Sequence, residues 1–389
     1  MSTLKVDAIR HNSATSDAIT TASDGTCTAN ITNNLSNRRI NINGGMQIWQ
    51  RSTSLSVSEG TNEGVTACDR YGFEFGNASA GAATISRSTD VPTNLGFPYS
   101  FKIDVTTLNN NSANNTQIRM PHRFEAQDIA SSGWKYNDPN SFLTISFYFK
   151  SNKSGTNKLP LMIRTFDGTS YFYVSEITQS DTNWNRYTIK VPGNSNLTFD
   201  NDNNIGLDVS WYFAVGSTYH TTADTWGTVQ KHGTSNSTNY FDSTSNEMFI
   251  TGIQIESTTN GIATDFEHRI FSDELSRCHR YYNKVYDVEG QSGEKPFLLG
   301  TYLNSSELAC VVQFPKMRAV PSLDISNGTN VFMIRRNGAS DNFNTFTMRY
   351  GTSTTAELYV SSNVSGTGGQ CGIIRGADTN VYIAFSAEL

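Results

Sequence analysis

Charge is scarce in this chain of 389 residues: Asp, Glu, Lys and Arg together make up 16%. Hydrophobic residues are also few, at 37%. These scarcities are not those of disorder, because aromatics reach 11% and disordered chains lack them. A helical bundle or coiled coil is excluded too, since those classes need Ala, Leu, Glu and Lys at helical spacing. Basic residues are nowhere concentrated and the net charge is −6, so nucleic acid is not an expected partner. No stretch approaches the ~18 apolar residues of a membrane span, and residues 1–10 hold no signal-type apolar run. The expectation is a soluble chain made in a cytosol, without membrane insertion.

Cysteine is sparse. Cys27, Cys68, Cys278, Cys310 and Cys371 are scattered and form no CxxC pair, which excludes a disulfide framework or a zinc site. All five read as buried small apolar residues. The six histidines (His11, His122, His220, His232, His268 and His279) show no HExxH or similar close pairing. Gly-x-Ser-x-Gly and P-loop motifs are missing as well. The chain is therefore not read as an enzyme, and no cofactor is expected.

What is abundant is Ser, Thr and Asn, about a third of the chain. Thr and aromatics favour strands, while Asn, Ser and Gly favour turns. The fold class is all-β: an antiparallel β-sandwich (jelly roll), a smaller C-terminal β-domain, one short helix between them and an extended N-terminal arm.

Residues 1–38 form the arm. The first 35 contain no aromatic, so they cannot build a core alone and need a partner surface. Strand-like pieces run over Leu4–Ile9 and Ala18–Thr21. The sandwich is expected over 39–270. Ile40–Asn43 and Met46–Arg51 alternate on either side of Gly44-Gly45, and Tyr71, Phe73 and Phe75 share a face. Phe142–Lys150 sets Leu143, Ile145, Phe147 and Phe149 on one side. Leu161–Phe166 and Tyr171–Ile177 flank Asp167-Gly168-Thr169-Ser170 as a hairpin. Tyr187–Val191, Leu207–Val215 and the alternating Phe249, Thr251, Ile253 and Ile255 complete it. A helix is expected over Ser272–Asn283, capped by Ser272, with Leu275, Cys278 and Tyr282 on one face, and then a linker within 271–295. Residues 296–389 carry eight further strand segments, with exposed tips at Asn337–Asn344 and Ser361–Gln370.

Several stretches together resemble one family. Asn41-Ile42-Asn43-Gly44-Gly45-Met46-Gln47-Ile48-Trp49-Gln50-Arg51 is similar to the NG-x-M/F-x-x-x-QR opening of phage tail-fibre and receptor-binding proteins. Asp69-Arg70-Tyr71 resembles the DRW/DRY that comes after it. Ile253–Glu256, Ala263–Arg269 and Glu274–Tyr282 resemble the Q-x-E, ATPFE-x-R and EL-x-x-CQRYY segments, departing at Asp265 and His279. Met1–Asp7 resembles the start of fibre proteins of marine cyanobacterial phages. The resemblance covers 1–283 in order. It implies a virion protein whose jelly roll is similar to carbohydrate-binding modules, a homotrimer joined to other virion proteins through residues 1–38 and facing a host glycan or receptor. The other readings are an ancillary capsid or tail decoration fibre and a glycan depolymerase.

Within the family pattern, Arg51, Asp69, Arg70, Glu267 and Arg269 offer charges for closing the ends of the sandwich on one another through bidentate pairs. Glycan contacts are expected from loop aromatics, whose faces meet sugar C–H groups: Trp134 and Tyr136, and Tyr219, His220 and Trp226 in the long loop 216–245; the other reading is that Trp134 or Trp226 caps the sandwich core or a subunit interface. Asp200, Asp202 and Asn204 lie in an oxygen-rich run that is a weak candidate for Ca²⁺; without an EF-hand glycine and distal glutamate, a solvated loop is the stronger reading.

Overall fold

The computed structural model describes residues 5–23, 25–29, 37–60, 64, 67–77, 81–109, 114–291 and 294–389. Among the described residues, two antiparallel six-stranded sheets pack face to face as a jelly-roll sandwich. One runs, edge to edge, Trp226–Gly227, Phe172–Gln179, Asn157–Thr165, Ile205–Val215, Gln117–Glu125 and Glu74–Gly76. The other runs Asn185–Pro192, Phe142–Ser151, Glu247–Thr258, Ser100–Thr107, Ala82–Ser88 and Ser54–Ser58. The alternation read from sequence places the side chains: Leu143, Ile145, Phe147 and Phe149 are buried, with Phe147 edge-on to Trp211 and Phe149 to Tyr240. Each such side chain stabilises by about 1.5–3 kcal/mol. The strand Glu247–Thr258 carries a bulge between Thr251 and Gln254. Gly252 occupies it at φ +62°, where a Cβ would approach Phe97 to 2.6 Å.

The C-terminal domain has its own core around Phe332, Ile334, Leu358, Ile374 and Phe385. Its larger sheet runs Ala339–Phe343, Phe332–Arg336, Cys371–Gly376, Lys295–Tyr302, Leu308–Gln313, Thr355–Val360 and Thr347–Arg349. A smaller one pairs Tyr282–Asp287 with Tyr382–Ser386 and that with Ser322–Ile325. In the arm, Ala8–Ile9, Ile19–Thr21 and Cys27–Ala29 form a three-stranded sheet; among the described residues, none of the arm sheet belongs to either core. Leu4, from the expected first strand, lies outside the described residues, as do residues 1–3.

Several local expectations are corrected. The helix is Phe271–Cys278, starting from Ile270 with no side-chain cap, so Ser272 lies inside its first turn. It stops early because the last strand recruits the residues beyond it: Tyr282 pairs with Ser386 and Asn283 with Phe385. Of the expected linker, Asp287–Lys295, the first residue ends the strand Tyr282–Asp287 and the last begins Lys295–Tyr302. Ala126–Ala130 is a short helix that periodicity missed. Ile40–Asn43 and Met46–Arg51 are not strands. Asn43 and Met46 have φ of 56° and 52°. Among the described residues, this backbone bonds to the strand Glu247–Thr258 only at Ile40 and Gly44, and the Asn41 and Asn43 side chains take up groups that a regular ladder would pair. The tip 337–344 is largely strand, because Asn337-Gly338 (φ 39° and 76°) folds Ala339–Phe343 back onto Phe332–Arg336. Cys27 and Cys371 are exposed, and only Cys68, Cys278 and Cys310 are buried.

Candidate functional site

The family-like motifs converge on one buried polar network. Asn43 Oδ1 accepts from the backbone N–H of Gln47 (2.9 Å) and Ile48 (3.0 Å), and Asn43 Nδ2 donates to the carbonyls of Ile48 and Asp69. Asn41 Nδ2 donates to Ile253 O at 2.8 Å, and Asn41 Oδ1 accepts from Ile255 N–H at 2.9 Å. Gly44 lets the two backbones touch, since a Cβ there would lie 2.0 Å from Ile253 O. Glu274, from the helix, accepts from Asn43 N–H and from the buried Arg39 guanidinium. These groups are held by one another, away from solvent, and their chemistry is that of a clasp.

The five charges chosen from sequence are not arranged as expected. Arg51 and Arg70 both reach Glu388, so they join the sandwich to the C-terminal domain. Each also lies 3.5 Å over a tyrosine ring, Tyr282 and Tyr281 respectively. Asp69 accepts from Gln50 N–H and Nε2, and burial pushes its carboxyl up to about 6. Glu267 pairs with Arg269 at 3.1 Å and accepts from the N–H groups of Arg38 and Arg39. The bidentate pair is elsewhere, between Arg280 and Glu125 at 2.6 Å for both bonds, with the Tyr281 hydroxyl donating to the same carboxylate. Sequence spacing carries no signal for a partner 155 residues away.

The loop aromatics divide. Trp134 is corrected: it is 2% exposed, belongs to the core and donates Nε1–H to Ser141 O. Tyr136 is half-buried, edge-on to Phe199 at 4.9 Å. Tyr219 stacks on buried His232 at 4.3 Å, and His232 stacks in turn on Tyr212 at 4.8 Å. Burial, then the cations Arg119, Arg164 and Lys231, lowers the His232 imidazole to about 3. His220 makes a strand bridge to Gly233 and a ring contact to Val215 O. These contacts fix both stems of the loop that carries Trp226.

Trp226 remains half-buried on the short edge strand. Its ring lies 5.2 Å from that of Tyr173, and its Nε1–H donates to Pro192 O at 2.8 Å. Beside it opens a cleft of about 570 Å³ whose lining includes Phe172, Thr221, Thr225, Trp226, Thr228 and Lys231. That volume lies in the ~300–1,000 Å³ range of small-molecule sites. Aromatic and methyl surface with hydroxyl groups and one ammonium suits an amphipathic, hydroxyl-bearing ligand. The threonines were the available sequence signal, at positions 221, 222, 225 and 228 around Trp226. Tyr219 and His220 support this loop; neither lines the cleft.

The oxygen-rich run serves the backbone. The carbonyls of Asp202 and Asn204 accept from Gln127 and Ala126 N–H at the start of the Ala126–Ala130 helix. Asp202 Oδ1 accepts from Asn204 N–H, and Asp167 Oδ2 accepts from Asp200 N–H. Among the described residues no group of three or more His, Cys, Asp or Glu is placed to hold a metal ion.

The fold is thus an all-β, jelly-roll sandwich bearing an edge cleft. No family model matches the chain, and no curated protein matches it. Solved structures with partial likeness include the enzymatically active domain of bacteriophage CBA120 tailspike protein 4, at 13% identity and a TM-score of 0.30. That match covers 57% of this chain and 21% of the tailspike. The family 11 carbohydrate-binding module from Clostridium thermocellum matches at 12% identity and TM-score 0.27, over 56% of this chain and 99% of the module. A tandem pair of family 22 modules from Paenibacillus barcinonensis matches at 11% and 0.25, over 86% of this chain and 97% of that one. Likeness at this level does not extend to what any of them binds.

Proposed function

We propose that this chain is a structural bacteriophage virion protein of tail-fibre or receptor-binding type, not an enzyme, that adheres to host-surface glycan. The ordered run of family-like motifs supports the class. The observation that carries glycan adhesion is the Trp226 cleft: an aromatic face, threonine hydroxyls and a rigidly pinned loop at the sandwich edge. A pyranose ring offers C–H groups to such a face and hydroxyls to such a rim. The arm, residues 1–38, joins the protein to other virion proteins, and the copies assemble as a homotrimer on the particle. The small arm sheet, whose described residues lie outside both cores, is in keeping with that attachment role.

A glycan array and a host-cell adsorption assay with the full chain test adhesion. Binding that Trp226→Ala weakens about tenfold or more, while thermal unfolding stays cooperative, is the expected result. An absence of binding to every host glycan overturns it. Release of sugar fragments from host polysaccharide would replace adhesion with depolymerisation. Antibody labelling of intact particles tests location, with signal expected at the tail.

A further inference from the structure

The larger C-terminal sheet buries one face and bares the other. Ile334, Ile374, Leu358 and Val312 point into the domain core. On the opposite face Leu299 is paired with Ile373, and the Thr301–Ala309 register, continued by two residues, sets Leu299 opposite Val311. The result is an apolar row across three adjacent strands, with Leu299 73%, Val311 61% and Ile373 39% exposed. A contiguous apolar row on a polar protein marks an interaction surface.

Its two ends differ in charge. Beyond Ile373 stand Arg335 and Arg375, which share Glu294 at 3.8 and 2.9 Å and leave one net positive charge. Beyond Val311 stand Glu357, paired with Arg349, and Glu307, which accepts from the Tyr359 hydroxyl; these leave one net negative charge. A row bordered by opposite charges is complementary to itself: the positive end of one copy fits the negative end of the next as the apolar strips meet.

We propose that this outer sheet face is the contact between copies of this chain. Because the same face meets itself, the contact is two-fold and joins copies in pairs; it goes beyond the homotrimer reading and stands or falls separately from it. Cys371 provides an internal probe. It is exposed, pairs with Thr301 and shares this face, whereas Cys27 is exposed in the arm.

The test is light scattering on the full-length protein at micromolar concentration, with alkylation of Cys371 and Cys27 and peptide mapping of the products. Wild type is expected to be oligomeric, with Cys371 protected relative to Cys27. Leu299→Asp with Val311→Asp is expected to give monomers with an unchanged far-UV spectrum and a Cys371 as reactive as Cys27. Arg335→Glu, which keeps the apolar row, is expected to weaken association about tenfold. A two-copy mass lost in the double variant keeps this face and removes the trimer. A three-copy mass that survives all these substitutions, or a monomeric wild type, overturns the proposal.

Discussion

The indole N–H of Trp226 donates to the carbonyl oxygen of Pro192 at 2.8 Å, across the open side of the sandwich. Trp226 lies on the edge strand of one sheet and Pro192 ends the edge strand of the other. One bond therefore fixes the cleft wall and fastens two sheet edges together. Trp226→Ala is expected to lower glycan affinity about tenfold or more, the loss typical of an aromatic anchor. Trp226→Phe keeps a ring but removes the donor, so affinity should fall less while exchange of the Pro192 region quickens. Calorimetric titration and hydrogen exchange check the two effects.

Trp134→Ala should behave in the opposite way. The side chain is core, so removal costs about 3–5 kcal/mol of stability. Denaturant unfolding should shift strongly, and glycan affinity of the folded fraction should stay as in wild type.

Glu388→Gln tests the junction between domains. It removes the carboxylate shared by Arg51 and Arg70 and leaves the buried Arg70 without its anionic partner. Loss of a buried pair costs about 3 kcal/mol, less here because Glu388 is partly solvated. The expected outcome is a lower melting temperature, with proteolysis newly cutting between the sandwich and the C-terminal domain.

His232 predicts a pH dependence. Its folded pKa is about 3, below the ordinary 6.5, so between these values only the unfolded chain binds the proton. Stability present above pH 6.5 is therefore lost as pH falls toward 3, by about 1.4 kcal/mol per unit. Buried His122, also lowered by burial, adds a loss of the same sign. His232→Phe preserves stacking between Tyr212 and Tyr219 and should flatten the slope of melting temperature against pH over this range.

Gly44→Ala tests the clasp. A Cβ 2.0 Å from Ile253 O forces two backbones apart, at a cost of about 3 kcal/mol or more. Cooperative unfolding of the sandwich should weaken or disappear, seen by near-UV dichroism.

Strand alternation was legible in the sequence where large apolar residues recur at every second position, as in Phe142–Ser151, and it reached only the later part, from Leu161, of Asn157–Thr165, which is buried on both faces. It misled where side chains replace the ladder, as Asn41 and Asn43 do for 40–51. The Asn337-Gly338 hairpin signal was present and was outweighed by the polar composition around it. Trp134 and Trp226 look alike in sequence, each beside a glycine in a polar, turn-rich stretch. Only tertiary packing separates a core tryptophan from an edge tryptophan. The ion pairs that define the domain junction join residues more than 300 positions apart, beyond any local pattern.

The clasp also sets an order in time. Arg39 and Glu274 are 235 residues apart, and Asn41 meets Ile253 across 212. A chain emerging from the ribosome at ~5–20 residues per second holds the first half of this contact without its partner for roughly 10–50 seconds. The middle hairpins, such as Asn157–Thr165 with Phe172–Gln179, close at once, because their partners are near in sequence. The sandwich is thus assembled from its centre outward, and the stretch synthesised early is laid down late, as a strap over strands already in place.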